Sequence, residues 1–132
     1  MKPRSRLAIV LNPTAGQGRS KRRLERILRL LRHGATVDLY PTSGPGDAVR
    51  AAQAACAKGV DAVIAAGGDG TINEVLNGLA DSGVPLGVIP GGTANVLAAE
   101  LDIPSDPAAL AALIGRGPVR DVWVGRANGR RF

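Results

Sequence analysis

The sequence predicts an α/β fold, a three-layer sandwich in which helices cover both faces of a mainly parallel sheet. Short apolar runs alternate with amphipathic stretches along the chain, and glycine clusters follow several of the apolar runs. Hydrophobic residues make up 45% of the chain but aromatic residues only 2%, so the core must consist of Ala, Val, Leu and Ile. Strands that alternate with helices at these lengths pair in parallel through right-handed crossovers.

Four segments predict strands, the first from a short apolar run typical of a buried strand and the second from an alternating pattern. These strands span Arg6–Asn12, Ala35–Tyr40, Val60–Ala66 and Pro85–Ile89. The amphipathic stretches predict five helices, over Ser20 to about His33, Asp47–Lys58, Ile72–Ala80, Ala94–Leu101 and Ser105 to about Ile114. The first helix carries apolar residues at i, i+3, i+4 and i+7 from Leu24, and Gly34 follows it in the stop position.

The C-terminal segment departs from this alternation. Val119–Ala127 predicts a further strand, and Asn128-Gly129 predicts a hairpin turn. The chain ends three residues after that turn, so the second strand of the hairpin is expected to be missing. A length of 132 residues suits one domain with its own core, and we expect a longer protein to continue with more sheet.

Charge and composition limit the class of partner. The formal net charge of +6 favours an anionic partner, such as nucleotide phosphates, an anionic lipid surface or nucleic acid. The scarcity of aromatic side chains argues against nucleic acid. The single cysteine, the lack of a signal peptide pattern and the lack of a run of about 20 apolar residues predict a cytoplasmic protein, with any contact at the inner face of the membrane being peripheral.

Four loops follow the predicted strands, at the edge where parallel sheets bind ligands. They are Asn12-Pro13-Thr14-Ala15-Gly16, the segment around Thr42, Gly67-Gly68-Asp69-Gly70-Thr71 and Gly91-Gly92-Thr93. Consecutive glycines let the backbone approach phosphate oxygens at the start of a helix. The loops therefore predict one phosphate-binding site. The fingerprints of dinucleotide-binding folds and of P-loops are not met, because the spacing after Gly16 fits neither.

Asp69 is the acidic residue in the third loop. Phosphate repels a carboxylate there, unless the carboxylate holds Mg²⁺ through the phosphates or accepts a proton from an attacking hydroxyl. The alternative is that Asp69 is the N-cap of the helix that follows or a turn residue. The residues alone leave both interpretations open.

The string GGDGTINEVLNGL, followed by LGVIPGGTANVLAAEL, resembles the catalytic domain shared by diacylglycerol kinases, sphingosine kinases, ceramide kinases and their bacterial relatives. NPTAGQG resembles that family's first loop and PTSGPGDA its second, so the resemblance runs from about Leu7 to the end. GGDGT also occurs in NAD kinases, but NEVLNGL and GGTAN favour lipid kinases. Many relatives read GTxND where this chain has Val96 after Asn95.

The resemblance implies an ATP-dependent lipid kinase that uses Mg²⁺ and transfers the γ-phosphoryl group to a lipid hydroxyl such as that of diacylglycerol. It implies the fold of the N-terminal domain of NAD kinases and diacylglycerol kinases, so residues 1–132 would be one nucleotide-binding domain, truncated before a β-rich C-terminal domain. Asp69 would be the catalytic residue, and the metal ligands are not assigned. The implied ATP site comprises Asn12, Pro13, Thr14, Ala15, Gly16, Thr42, Gly68, Asp69, Gly70, Thr71, Ile72, Asn73, Glu74 and Thr93.

Two other functions stay open beside this one, namely an NAD kinase-like phosphotransferase and a nucleotide-binding module without turnover. We expect the 132 residues alone to bind nucleotide weakly and not to phosphorylate lipid. The helix from Ser20 carries many Arg and Lys residues, which form either a solvated face or a contact with anionic membrane. A homodimer is also compatible with the sequence.

Overall fold

The computed structural model describes residues 2–13, 19–91, 100–120, 126–127 and 130–131. Four strands in this part form one parallel sheet in the order β2-β1-β3-β4. The strands are β1 (Arg6–Leu11), β2 (Thr36–Pro41), β3 (Ala62–Gly67) and β4 (Leu86–Pro90). The predicted parallel sheet is therefore confirmed, with strand bounds shifted by one or two residues.

Helices cover both faces of the sheet. They are α1 (Arg19–Arg32), α2 (Asp47–Ala57), α3 (Asp69–Gly78) and α4 (Pro107–Arg116). Side chains of α1 and α4 share one buried cluster with one face of the sheet, and side chains of α2 and α3 share a second cluster with the other face. This arrangement is the predicted three-layer sandwich. The helix predicted over Ala94–Leu101 lies almost entirely outside the described residues.

Alternation along the central strand explains the two clusters. Leu7 and Ile9 of β1 pack towards α1 and α4, whereas Ala8 and Val10 pack towards α2 and α3. Successive side chains of a strand point to opposite faces, so a strand covered on both sides must be apolar throughout. Every residue of β3 is buried for the same reason.

Helix α3 begins at Asp69, three residues before the predicted start. Gly68 is its N-cap in an extended conformation, and the N–H of Ile72 donates to the Gly68 carbonyl at 3.1 Å. Glycine is a poor helix former and has no apolar side chain. A prediction based on the spacing of apolar residues therefore misses the first turn of α3. Three of the five residues of the predicted glycine loop thus belong to the first turn of a helix.

The C-terminal prediction needs two corrections. In the predicted strand Val119–Ala127, residues 119–120 form no strand, and the described strands there are β5 (Arg126–Ala127) and β6 (Arg130–Arg131). Residues 121–125 and the predicted turn Asn128-Gly129 lie outside the described residues. Strands β5 and β6 pair antiparallel, with Ala127 opposite Arg130. The second strand of the hairpin, expected to be missing, is therefore present as two residues. A two-residue connection places the strands on either side of it next to each other. Two residues after the connection are therefore enough to form a short pairing.

Helices α2 and α3 pack unusually close at Gly78. A Cβ atom at this position would lie 2.7 Å from Ala52 Cβ and 2.7 Å from the carbonyl oxygen of Val49. Any side chain would therefore collide with the backbone of α2. The last glycine of GGDGTINEVLNGL has a packing role, and it fixes α3 against α2.

Candidate functional site

The strand order creates a crevice at the carboxyl edge of the sheet. The connection that leaves β1 leads to β2 on one side, whereas β3 lies on the other side of β1. Connections that diverge from adjacent strands open the crevice in which α/β sheets bind ligands. The first and third predicted loops begin at these two strand ends.

Backbone hydrogen bonds join the strand ends that border this crevice. The Thr42 N–H donates to the Leu11 carbonyl at 2.8 Å, the Asn12 N–H to the Ala66 carbonyl at 3.1 Å, and the Gly91 N–H to the Gly67 carbonyl at 3.0 Å. The starts of all four predicted loops thus lie side by side. Their predicted convergence is confirmed to this extent, while Thr14, Ala15, Gly16 and Thr93 lie outside the described residues.

The N-terminus of α3 faces the crevice from the end of β3. No side chain caps it, and the N–H groups of its first turn precede the first intrahelical donor, that of Ile72. Such N–H groups, together with the helix dipole, attract anions. Gly70 is exposed in this turn, and no atom lies within 4 Å of a Cβ placed there. The backbone is open to a ligand at this point.

Asp69 is the first residue of α3, and its side chain is exposed. Its carboxylate makes no hydrogen bond or ion pair with any of the residues that the structure describes. The N-cap is Gly68, without a side-chain cap bond, so the interpretation of Asp69 as the helix cap is wrong. The carboxylate is thus left available beside the N–H groups that would hold an anion.

The side chains of Thr71 and Ile72, in the first turn of α3, are both buried. Thr71 is only 8% exposed, and its Oγ1 would lie 2.9 Å from a Cβ atom at Gly67. Ile72 is buried in the cluster shared with α2, beside Val75. Gly67 allows the Thr71 side chain to fold back onto the end of β3, and this contact sets the direction in which α3 leaves the strand.

The second loop is held by contacts at both of its ends. Thr42 Oγ1 donates to the Leu11 carbonyl at 3.3 Å, at the end of β1. At the other end, Glu74 of α3 accepts a hydrogen bond from the Gly46 N–H, at 2.7 Å from Oε1. On the same helix, Asn77 Nδ2 donates to the Asn73 carbonyl at 2.8 Å.

Asp47 closes the second loop internally, a role that the sequence analysis missed. Its Oδ2 accepts from the Ser43 N–H and hydroxyl, both at 2.8 Å, and from the Gly44 N–H at 3.0 Å, and Oδ1 pairs with Arg50. The backbone and hydroxyl hydrogen bonds from Ser43, followed by Arg50, lower the pKa of Asp47 from 3.8 to about 2. The signal was present in the sequence, as an Asp in the first turn of a helix after Gly-Pro-Gly.

Arg23 also has a defined position that its place in a basic helix did not suggest. Its Nε and one terminal nitrogen donate to the Ser105 carbonyl at 3.0 and 2.9 Å, and its other terminal nitrogen donates to the Pro90 carbonyl at 3.4 Å. The half-buried guanidinium therefore joins α1 to the end of β4 and to the segment before α4. Five other cations of α1 are exposed; they are Lys21, Arg22, Arg26, Arg29 and Arg32.

A groove of about 1150 Å³ runs beside β4 and reaches the crevice at Asp69 and Asn73. Its walls are largely apolar, and α3, β4 and α4 contribute Leu76, Val88 and Leu113 to them. Among the described residues, no group of three or more His, Cys, Asp or Glu side chains could hold a metal ion by itself. No helix in the described ranges has the length and apolar character needed to cross a membrane.

The chain is similar to a known family and to proteins of that family. The profile of the family described as "Diacylglycerol kinase catalytic domain" matches residues 6–127. The diacylglycerol kinase of Bacillus subtilis (strain 168) is 42% identical over 131 residues, covering 96% of this chain and 43% of that protein. The diacylglycerol kinase of Staphylococcus aureus (strain bovine RF122 / ET3-1) is 40% identical over 132 residues, covering 98% of this chain and 42% of that protein.

Solved structures agree with this similarity. A crystal structure of a diacylglycerol kinase from Bacillus anthracis str. Sterne matches with a TM-score of 0.83 and 38% identity, covering 100% of this chain and 46% of that one. A second structure from the same organism matches with a TM-score of 0.84 and 38% identity, covering 49% of its chain. The chain thus spans less than half the length of the relatives it matches.

Proposed function

The chain belongs to the diacylglycerol kinase catalytic domain family, and from that premise we propose that it is the ATP-binding domain of a lipid kinase. The whole protein would transfer the γ-phosphoryl group of ATP to a hydroxyl of a lipid alcohol such as diacylglycerol. Because the relatives are more than twice as long as this chain, we propose that residues 1–132 form one domain and that a β-rich C-terminal domain completes the enzyme.

One observation carries this proposal: an exposed carboxylate, that of Asp69, stands at an uncapped helix N-terminus in the crevice of the sheet. Phosphoryl transfer needs positioning of the phosphates and neutralisation of their charge, and little covalent chemistry from the protein. The N–H groups of Asp69, Gly70 and Thr71 would bind phosphate oxygens. The carboxylate beside them would act where the phosphoryl group is transferred.

The other proposed ATP contacts come from the loops around the crevice. Asn12 to Gly16 would border the phosphates from the end of β1, and Thr42 would approach from the end of β2. Gly68 would allow the nucleotide to come close to the backbone before α3. Asn73 would reach the crevice from the second turn of α3, and Ile72 would support this turn from the core. Thr93 would complete the site from the loop after β4.

Mg²⁺ fits the residues present as an ion that arrives with the nucleotide. Mg²⁺ is usually bound through one or two carboxylates together with phosphates and water, and it needs no cage made by the protein alone. The exposed Asp69 supplies one such carboxylate, in agreement with the lack of a larger acidic cluster among the described residues. When bound, the ion would neutralise charge on the phosphates.

Asp69 has two chemically distinct roles available in this reaction. It could accept the proton of the lipid hydroxyl as that oxygen attacks the γ-phosphorus, or it could bind Mg²⁺ on the phosphates. In both roles it acts as the catalytic residue. The two roles differ in their dependence on the Mg²⁺ concentration, which makes them separable by experiment.

The lipid substrate brings the enzyme to a membrane surface, and we propose that the exposed cations of α1 contribute to that contact. In the described part of the chain the single ion pair is Asp47–Arg50, so the cations of α1 are not neutralised by acidic side chains there. Anionic lipid attracts such side chains by roughly 1 kcal/mol for each cation near the surface. Dimerisation stays a prediction from the sequence.

The function is tested with the full-length protein, ATP and Mg²⁺, offered a panel of lipid alcohols and, separately, NAD. We expect phosphorylation of a lipid alcohol and none of NAD. Transfer to NAD without transfer to lipid would contradict the proposal and favour the NAD kinase-like alternative. Nucleotide binding without transfer to any acceptor would favour the non-catalytic module.

A further inference from the structure

Glu74 makes a contact that its place in the motif does not explain. It lies in the second turn of α3, half-buried, and its Oε1 accepts the Gly46 N–H at 2.7 Å. The two residues are 28 positions apart in the sequence. This contact therefore joins two segments that are far apart in the sequence.

Gly46 is a fixed point of the backbone. It adopts φ 85° and ψ −17°, in the left-handed region, and it is the N-cap of α2. Its N–H therefore has no place in the hydrogen bonds of α2, and a carboxylate from outside the helix satisfies it. Holding this one N–H fixes the point where the loop ends and α2 begins.

The other described hydrogen bonds of the loop of residues 42–46 join it to the end of β1 and to the start of α2. Thr42 bonds the end of β1, and Ser43 and Gly44 donate to Asp47 at the start of α2. Among the described contacts, the hydrogen bond of Glu74 connects this loop to α3. The proposed phosphate-binding turn begins on that same helix, five residues before Glu74.

We infer that Glu74 is a positioning residue, which holds the loop of residues 42–46 at a fixed separation from the N-terminal turn of α3. This inference rests on the proposed function, since it assigns Glu74 a role in the same ATP site. Its carboxylate sets the distance between Thr42 and the phosphate-binding turn, and the nucleotide binds between them. Glu74 acts on ATP through the loop.

The competing role is direct contact of the Glu74 charge with the nucleotide or its metal ion. Three substitutions separate the roles. E74Q removes the charge but keeps an acceptor oxygen at the same distance from the backbone. E74D keeps the charge but shortens the side chain by one methylene. E74A removes both. Positioning predicts that E74Q resembles the wild type and that E74D resembles E74A, and direct action of the charge predicts the reverse order.

The first measurement is amide hydrogen exchange of the full-length protein without nucleotide, read at residues 42–46. We expect exchange at the Gly46 amide to rise about tenfold or more in E74A and E74D, since losing one hydrogen bond opens a local contact by that order, and to stay within about threefold of the wild type in E74Q, which keeps the acceptor oxygen. E25Q and E25A, at an exposed carboxylate of α1, are the matched controls and should leave this exchange unchanged.

The second measurement is the KM for ATP and the kcat of the same variants. We expect KM to rise about tenfold in E74A and E74D, with kcat within about threefold of the wild type, because the lost contact weakens binding of the nucleotide and leaves the reacting groups in place. Unchanged exchange at Gly46 in E74A and E74D would overturn the inference, and so would an E74Q variant as impaired as E74A. If the wild type lacks kinase activity, the proposed function fails, and the exchange data alone decide the role of Glu74.

Discussion

Gly78 of α3 faces the carbonyl oxygen of Val49 in α2 so closely that a Cβ atom at Gly78 would lie 2.7 Å from that oxygen. The closeness allows α3 to pack against α2 with its first turn at the crevice. A glycine inside the most recognisable motif of the chain therefore serves the helix packing beneath the site.

Substitution of Gly78 by alanine tests this packing. We expect G78A to lower the free energy of unfolding by about 1–3 kcal/mol, the usual cost of overpacking a closed contact. Urea unfolding of the chain measures the loss. G70A is the matched control in the first turn of the same helix, where a Cβ atom meets nothing within 4 Å, and it should leave stability unchanged or slightly raised. Equal stability of G78A and the wild type would contradict the close contact.

Asp69 should be needed for turnover and not for folding. The carboxylate makes no hydrogen bond or ion pair with described residues, so D69N should leave the free energy of unfolding within about 0.5 kcal/mol of the wild type, as surface substitutions do. In the full-length enzyme we expect kcat to fall by about 10²–10⁴-fold, the range for loss of a group that transfers a proton. A D69N enzyme with nearly full activity would rule out a catalytic Asp69.

The Mg²⁺ dependence of the D69N enzyme should distinguish the two roles of Asp69. If Asp69 binds the ion, the variant needs a higher Mg²⁺ concentration and regains rate when it is supplied. If Asp69 accepts the proton, added Mg²⁺ leaves the rate low. Initial rates across a Mg²⁺ titration, compared with the wild type, measure this difference.

Because of Asp47, the free energy of unfolding should depend on pH in the acid range. The pKa of Asp47 in the folded chain is about 2, below its ordinary 3.8, because Ser43 and Arg50 favour the charged form. Its contribution is thus fully present above pH 3.8 and is lost as the pH falls through about 2. We expect D47N to flatten the decline in unfolding free energy between these values. S43A should raise the pKa of Asp47, as NMR titration of its carboxyl would reveal.

Charge reversal on the exposed face of α1 should weaken binding to anionic vesicles. We expect the variant R22E/R26E/R29E of the full-length protein to bind vesicles rich in phosphatidylglycerol at least about tenfold less tightly at low salt, because three attractive charges become repulsive. Binding to neutral vesicles should not change. Sedimentation with each vesicle type measures the affinities. Unaltered binding to the anionic vesicles would show that the basic face is only solvated.

The 132-residue chain alone should not phosphorylate lipid. It spans less than half the length of its relatives, and the proposed β-rich C-terminal domain is not part of it. Incubation with ATP, Mg²⁺ and diacylglycerol should yield no phosphorylated lipid, with the full-length protein as the positive control. Product formed by the chain alone, dependent on Mg²⁺, would contradict this expectation.

The sequence predicted the sheet well because strands buried on both faces are continuous apolar runs, as in β1 and β3. It also predicted that the starts of the four loops lie at one edge, since the carboxyl ends of parallel strands share it. It could not predict the contacts of Glu74 and Arg23. Their partners lie 28 and 82 residues away, and a local pattern of charges contains no information on contacts between such distant residues.

The central position of β1 has a consequence for the order of synthesis. Leu7 pairs with Ala62 on one side and with Val37 on the other, so β1 is flanked by two strands that a ribosome makes after it. At about 5–20 residues per second, the apolar strand β1 spends several seconds in the nascent chain before β3 emerges. The growing polypeptide is therefore exposed to aggregation early, and protection by chaperones on the ribosome would matter most before Gly67 has left the exit tunnel.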